Sequence, residues 1–174
     1  MTELVVLASP DGTPVGTADK AVVHTADTPL HFAFSAWVVR DDNILLSRRA
    51  LSKKTWPGVW TNSFCGHPGP GEANVDAVVR RAQFELGLSG TPRLVLPDFA
   101  YRAVDSSGVV ENEICPVYLF ETSDDPKPNP DEVDSLAWAP AREVLAAAEA
   151  TPFAFSPWMV EELTHEPLRA ALLG

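Results

Sequence analysis

The stretch Asn62–Leu88, NSFCGHPGPGEANVDAVVRRAQFELGL, decides how the rest of this sequence is read. Cys65 and His67 stand two residues apart, so an extended approach projects both to one side. A Gly/Pro-rich turn follows. Val75, Val78, Val79, Ala82 and Leu86 then recur at helical spacing. Asn74 is placed to cap the start of that helix, Asp76 suits its first turn, and Gly87 can supply a left-handed stop. Arg81 and Glu85 are four apart and share one helix face. A thiol, an imidazole, a guanidinium and a carboxylate therefore meet at one strand–loop–helix junction, which is more chemistry than a structural turn requires.

The whole chain of 174 residues fits a single domain, 1–174, with room for a proper core. Apolar content is ordinary, and no apolar run reaches the length of a membrane span. The opening residues, MTELVVLASPDGTP, hold no basic region followed by an apolar block, so no secretory signal is expected. Cys65 and Cys115 are too few for a disulfide framework. Free thiols suit a reducing cytoplasm, which is the expected location, and a monomer is the expected state. A net charge of −11 argues against nucleic acid or an anionic membrane as partner. Of the 13 basic residues, four lie in Arg48–Lys54 and two more are Arg80 and Arg81. The Arg48–Lys54 run reads either as an anion site or as a solvated charged turn.

Outward from the central stretch, the chain reads as strands with a few helices. Glu3–Ala8 is a strand and Ser9–Pro14 a turn, while Thr17–Thr28 receives no assignment. His31–Val39 is aromatic and β-branched, a largely buried strand. Asp41–Asn43 turns into a strand at Ile44–Ser47, and Trp56–Trp60 is a tight connection. Arg93–Tyr101 is extended, and Asp105–Gly108 is a turn. Val109–Glu121 is one strand in which Pro116 marks a bulge or an edge. Asp124–Asp131 is a loop, Val133–Trp138 a short strand and Ala141–Ala150 a helix. Ser156 caps, and Pro157 opens, a last helix carrying Trp158. The order gives a mixed α/β (α+β) sandwich with one central and two late helices.

Within Val109–Glu121 the two-residue period puts Glu111 and Glu113 on one face and Asn112 on the other. An exposed strand carries such a pair for solubility. Joined to His24, His31 and His67, the pair becomes half of a metal site instead. Three imidazoles and two carboxylates suit a divalent ion of the Mn, Fe or Zn type better than Ca²⁺. Glu85 near a helix C-terminus is mildly disfavoured by the macrodipole, which favours a reason for its presence such as a second cation. Cys65 is a candidate reactive thiol where positive charge stabilises its thiolate. Cys115 shares a side with Glu113, and its flanks, Ile114 and Pro116-Val-Tyr, suit a buried, inert cysteine.

From Gly66 the pattern G-x5-E-x7-R…E-x-G-apolar is met by Gly66, Glu72, Arg80, Glu85, Gly87 and Leu88. It resembles the Nudix box, the loop–helix that binds metal and diphosphate in Nudix hydrolases. Arg81 and Phe84 stand where those hydrolases carry glutamates. HTADTPLHFAFSAW (His24–Trp37), RRALSKKTWPGVWTNSFCGHP (Arg48–Pro68), ENEICPVY (Glu111–Tyr118) and ATPFAFSPWMV (Ala150–Val160) resemble the type 1 isopentenyl-diphosphate Δ-isomerase family. That resemblance runs from Gly16 to about Val160. It implies a Nudix-type mixed β-sheet sandwiched between helices and the interconversion of isopentenyl and dimethylallyl diphosphate. It implies one divalent metal (Mn, Zn or Mg) on His24, His31, His67, Glu111 and Glu113. A Mg²⁺ that arrives with the diphosphate would sit on Glu85 and the main-chain carbonyl of Cys65. Lys20, Arg49, Lys53 and Arg81 match phosphate-binding positions. Cys65 and Glu113 match the two catalytic groups, with Tyr101 beside Glu113 and Trp158 over the hydrocarbon. The implied partner is a small prenyl diphosphate. The rival expectation is a Nudix-type diphosphohydrolase, and a third is a catalytically silent binding module.

Overall fold

In the computed structural model, residues 3–174 are described; Met1 and Thr2, and the part of the leader expectation that falls on them, lie outside this range. In chain order the strands β1 (Leu4–Ala8) and β2 (Pro14–Asp19) form a hairpin, and α1 (Lys20–Val23) follows, capped by the Asp19 side chain on the Ala21 amide. The end of β2 and α1 account for residues 17–23 of the Thr17–Thr28 segment, which has no assignment from the sequence, and a turn occupies the rest. Next come β3 (His31–Phe32), β4 (Phe34–Arg40), β5 (Asn43–Arg49), β6 (Trp60–Thr61) and β7 (Phe64–Gly66). After α2 (Asn74–Leu86) come β8 (Thr91–Leu96), β9 (Ala100–Val104), β10 (Val110–Ile114), β11 (Val117–Glu121) and β12 (Val133–Pro140). Helices α3 (Ala141–Ala150), α4 (Pro157–Glu162) and α5 (Glu166–Leu173) close the chain.

The strands form two sheets, ordered β2-β1-β3-β10-β9 and β12-β5-β4-β11-β8, with β6 and β7 added to β5 and β4 of the larger one. Three segments expected as continuous extended chain are each broken between these sheets. His31–Val39 divides at Ala33, Arg93–Tyr101 at 97–99, and Val109–Glu121 at Cys115-Pro116. The first and last breaks are made together. β3 runs parallel to β10 with His31 opposite Glu113, and β4 runs parallel to β11 with Ser35 opposite Val117. At the break Ala33 N–H donates to Ile114 C=O (2.9 Å) and Ser35 N–H to Pro116 C=O (3.1 Å). Pro116, which has no N–H to offer, thus stands where two strands cross together between sheets.

Alternation along β4 settles which helices lie on which face. Trp37 packs among α3, α4 and α5, whereas Phe34, Ala36 and Val38 pack with Val78, Ala82 and Leu86 of α2. The larger sheet is therefore sandwiched between helices. Ser156 caps α4 by accepting from the Met159 amide, as its sequence suggests. α5 was not anticipated, although Leu168 and Leu172 bury its inner face.

Two details of α2 depart from the sequence reading. Its N-cap is Ala73, without a side-chain cap, so Asn74 is the first helical residue rather than the cap. Val75 and Val79 are exposed, while the inner face is Ala77, Val78, Arg81, Ala82, Glu85 and Leu86. A charged pair has taken part of the buried stripe. Gly87 does close the helix in the left-handed region, at φ 64°. Among the described residues, no helix is long and apolar enough to cross a membrane.

Candidate metal centre and active site

The strand crossing brings histidines and carboxylates together. His31 on β3 lies opposite Glu113 on β10, and Tyr101 on β9 lies opposite Glu113 on its other side. His67 follows β7, whose pairing with β4 carries it to the same place. The box residues fix that approach: Arg80 makes a two-toothed pair with Glu72 (2.8 Å each) and donates to the His67 carbonyl at 3.1 Å. Glu72 also accepts from the Gly69 amide. His24 enters from the end of α1.

The ligand atoms of His24, His31, His67 and Glu113 all lie within 4.8 Å of one another. His67 Nε2 is 3.0 Å and His31 Nε2 3.4 Å from Glu113 Oε1, and the two Nε2 atoms are 3.2 Å apart. His31 Nδ1 faces the Pro29 carbonyl at 2.9 Å and must donate to it, which leaves a bare lone pair on Nε2 of the neutral ring. Glu111 stands at the rim of the cluster, with Oε2 3.0 Å from His24 Nε2. Both of those atoms are buried and make no hydrogen bond although they face each other. Buried polar atoms left in that state are costly, and a divalent cation accepting both would satisfy them. The nitrogen–oxygen donor set of His24, His31, His67 and Glu113 could hold a divalent metal ion.

Every residue expected from the sequence to act in catalysis, metal binding or phosphate binding, except the fully buried His31, lines one cavity of about 200 Å³. Cys65 reaches the cavity from the larger sheet and Glu113 from the smaller. Tyr101 O–H donates to Glu113 Oε2 at 2.8 Å. Burial pushes the Glu113 carboxyl up, but the His31 and His67 rings bonded to it win and hold it well below the usual carboxylate range. Burial, and then the charges of Glu113 and Glu111, push the Tyr101 hydroxyl well up. The Cys65 thiol is also pushed up, by burial first and the Glu162 charge second, against its hydrogen bonds with Asn62 and Ser35. It is a poor thiolate and a protonated thiol at rest. Cys115 is 1% exposed and belongs to the core, away from the cavity lining.

At the opposite end the cations are each held by an acid or an oxygen of the chain. Arg81 bonds Glu85 (2.6 and 2.9 Å) and Glu132 (3.2 Å), Lys53 pairs with Glu132, and Lys20 pairs with Glu3 at 2.9 Å. Arg49 donates to the Thr55 carbonyl and lies 5.4 Å over the Trp158 ring. Burial raises the Glu85 carboxyl in spite of Arg81. Gly66 allows this end to close, because a Cβ there would stand 2.8 Å from Arg81 Cγ and 2.9 Å from the Phe34 ring. Trp158 is 3% exposed, donates from Nε1 to Asn62 Oδ1 at 3.0 Å, and leans on Tyr101 and Trp56.

Several residues at this site escaped the sequence reading. Asn62 holds Trp158, Ser35 and Cys65 at once, yet nothing in its flanks sets it apart. Glu132 and Glu3 look like any other acid of an acidic chain. Glu162 had a signal: it lies four residues after Trp158 on α4, and so on the same inward face.

What the fold and this loop–helix define is a Nudix-type domain, and the chain matches the NUDIX domain family over residues 29–159. It is 56% identical to the isopentenyl-diphosphate Delta-isomerase of Corynebacterium efficiens, over 98% of this chain and 94% of the relative. It is 52% identical to that of Escherichia coli, over 98% and 95%. Among solved structures, a Deinococcus radiodurans protein superposes with a TM-score of 0.72 at 18% identity, covering 93% of this chain and 98% of its own, a likeness of fold. A MutT NUDIX hydrolase from Burkholderia pseudomallei gives 0.60 at 25% identity, over 79% and 98%. The chain belongs to the isopentenyl-diphosphate Δ-isomerase branch of the Nudix family.

Proposed function

We propose that this protein interconverts isopentenyl and dimethylallyl diphosphate in the cavity between Cys65 and the Glu113–Tyr101 pair. The observation that carries the reading is the convergence on one cavity of a protonated thiol, an ionised carboxylate with its phenol, and a cluster of cations. Moving the double bond requires a proton added to the terminal alkene carbon and another lost from the neighbouring methylene. Between the two steps the substrate carries a tertiary carbocation.

At rest Cys65 holds a proton and Glu113 lacks one. One of the two groups, Cys65 or Glu113 with its Tyr101 hydrogen bond, gives a proton to the alkene and the other takes one from the methylene; the reverse reaction exchanges the roles, and proton exchange after product release returns both groups to their resting states. His24, His31, His67 and Glu113, with Glu111 beside them, would hold the metal. A divalent cation bound there supplies positive charge that keeps the Glu113 carboxyl ionised. Trp158 offers a π face to the cation, worth roughly 2 kcal/mol when desolvated. Placement supplies more, up to roughly 7–11 kcal/mol when the reacting groups are well oriented. Lys20, Arg49, Lys53 and Arg81 provide that placement through the diphosphate, and Glu85 would hold a Mg²⁺ that accompanies it. The hydrocarbon then lies against Trp158 in a site closed to water.

The test is proton NMR of isopentenyl diphosphate incubated with the protein and Mg²⁺. Dimethylallyl signals without released phosphate support the reading. Inorganic phosphate without them would assign the cavity to a diphosphohydrolase, and tight binding with neither product to a silent module.

A further inference from the structure

Between the metal cluster and the anion-binding cations lies one residue that touches both. Thr55 is 5% exposed and closes the basic loop that follows β5. Its Oγ1 is 2.7 Å from Glu111 Oε1 and 3.2 Å from Arg49 Nη2. A hydroxyl has one proton and two lone pairs, a carboxylate only accepts and a guanidinium only donates. The proton therefore goes to Glu111, and a lone pair receives Arg49. The Thr55 carbonyl accepts twice more from Arg49, from Nε at 3.1 Å and Nη2 at 2.9 Å.

The bond to Oε1 leaves Glu111 one free oxygen, and that oxygen is the buried, unbonded Oε2 that faces His24 Nε2. Thr55 thus fixes the rotation of the carboxylate about its own axis. The loop that presents it is anchored at two further points, by Lys53 to Glu132 and by Lys54 to the Ala21 carbonyl of α1. Movement of Arg49 toward a bound anion is transmitted through a single hydroxyl to a metal-ligand candidate.

We propose that Thr55 is a positioning residue that aims Glu111 at the metal centre and couples metal binding there to diphosphate binding at Arg49. The inference rests on the reading that His24 and Glu111 help hold a divalent ion. Coupling of this kind is reciprocal: metal tightens the anion by the same factor that anion tightens the metal. Groups behind a metal ligand are worth about ten- to a hundredfold in affinity.

The experiment measures Mn²⁺ binding by electron paramagnetic resonance, and inorganic pyrophosphate binding by calorimetry with and without saturating Mn²⁺. Thr55→Val keeps the side-chain shape and removes the hydroxyl, Thr55→Ala repeats the loss with less bulk, and Thr55→Ser keeps the hydroxyl. The first two are expected to weaken Mn²⁺ about tenfold or more and to reduce the tightening of pyrophosphate by metal, with Thr55→Ser within about threefold of the wild type. A Thr55→Val protein that binds Mn²⁺ like the wild type overturns the inference. So does a Thr55→Ser protein as weak as Thr55→Val, since bulk and not the hydroxyl would then matter. A wild-type protein with no stoichiometric Mn²⁺ would remove the metal reading itself, and a Glu111→Gln protein that binds it normally would remove Glu111 from the ligands and with it the inference.

Discussion

Glu162 offers the sharpest quantitative test, because its carboxyl is fully buried and one of its oxygens makes no hydrogen bond. Trp37 Nε1 donates to Oε2 at 2.7 Å, while Oε1 makes no hydrogen bond. Burial pushes the group from its ordinary 4.5 to about 8, the Glu113 charge adding to the rise and hydrogen bonds from Ser35 and Trp37 opposing it. The sign follows from proton binding. Between those two values the folded protein keeps a proton that the unfolded chain releases, so stability present below the lower value is lost as pH rises toward the higher. Each unit is worth about 1.4 kcal/mol, so the loss between about pH 5 and pH 8 approaches roughly 4 kcal/mol. Glu162→Gln is isosteric, still accepts from Trp37, and does not titrate. The two proteins should be of similar stability near pH 5. At pH 8 the variant should be the more stable by several kcal/mol, a gap of roughly 1–3 M in urea midpoint for slopes of 1–3 kcal/mol/M. Urea unfolding of both proteins at three pH values reads the difference and cancels every other titrating group. A gap that stays constant with pH would mean that the folded protein stabilises the ionised Glu162 as well as water does, and would refute the burial reasoning.

The remaining predictions concern the cavity. Cys65→Ala and Glu113→Gln should each abolish turnover in the NMR assay, whereas Cys115→Ala should stay within a few-fold of wild type; near-normal activity in Cys65→Ala would move the thiol role elsewhere. Arg81→Glu should chiefly raise KM for the diphosphate in steady-state kinetics, and an unchanged KM would take Arg81 out of the anion site. Gly66→Ala should lose roughly 1–3 kcal/mol of stability by denaturant titration, because its methyl must displace Arg81 or Phe34.

Much of this was legible in the sequence where the signal was local. The α2 helix, its left-handed Gly87 stop, the Ser156-Pro157 start of α4 and the facing of Glu111 and Glu113 all follow from spacing and turn chemistry. What was illegible is what depends on partners remote along the chain. His31–Val39 and Val109–Glu121 each look like one strand because their apolar pattern does not stop at the crossing; it is needed on both sheets. The break is set by the pairing of Ala33 with Ile114 and Ser35 with Pro116, eighty-odd positions away. The capping role given to Asn74 failed because Asn, Ala and Pro-rich turns all permit a helix start, and the loop held by Glu72 and Arg80 fixes where the chain enters. Arg81 and Glu85 were legible as neighbours on the helix, but not as buried, since their burial requires the Gly66 strand beside them.

On the proposed reading, that buried pair would let a Nudix helix hold a diphosphate without the carboxylates of the hydrolases it resembles. Arg81 is 5% exposed between Glu85 and Glu132, and both acids and Lys53 occupy the same corner of the cavity. Phe84, at the second replaced position, points to solvent at 52% exposure with the Arg81 guanidinium 4.9 Å over its ring. A glutamate at 81 would set three buried carboxylates against one another, and such a corner is stable only when cations are drawn into it. With Arg81 the corner is near balance before substrate arrives, and on the proposed reading Glu85 would hold a Mg²⁺ brought by the diphosphate. On the proposed reading, the swap of one buried charge would convert a corner suited to collecting metal into one that grips the diphosphate by its own positive charge. The reactive carbon would then lie at the far end of the cavity, beside Cys65 and Glu113, which both line it.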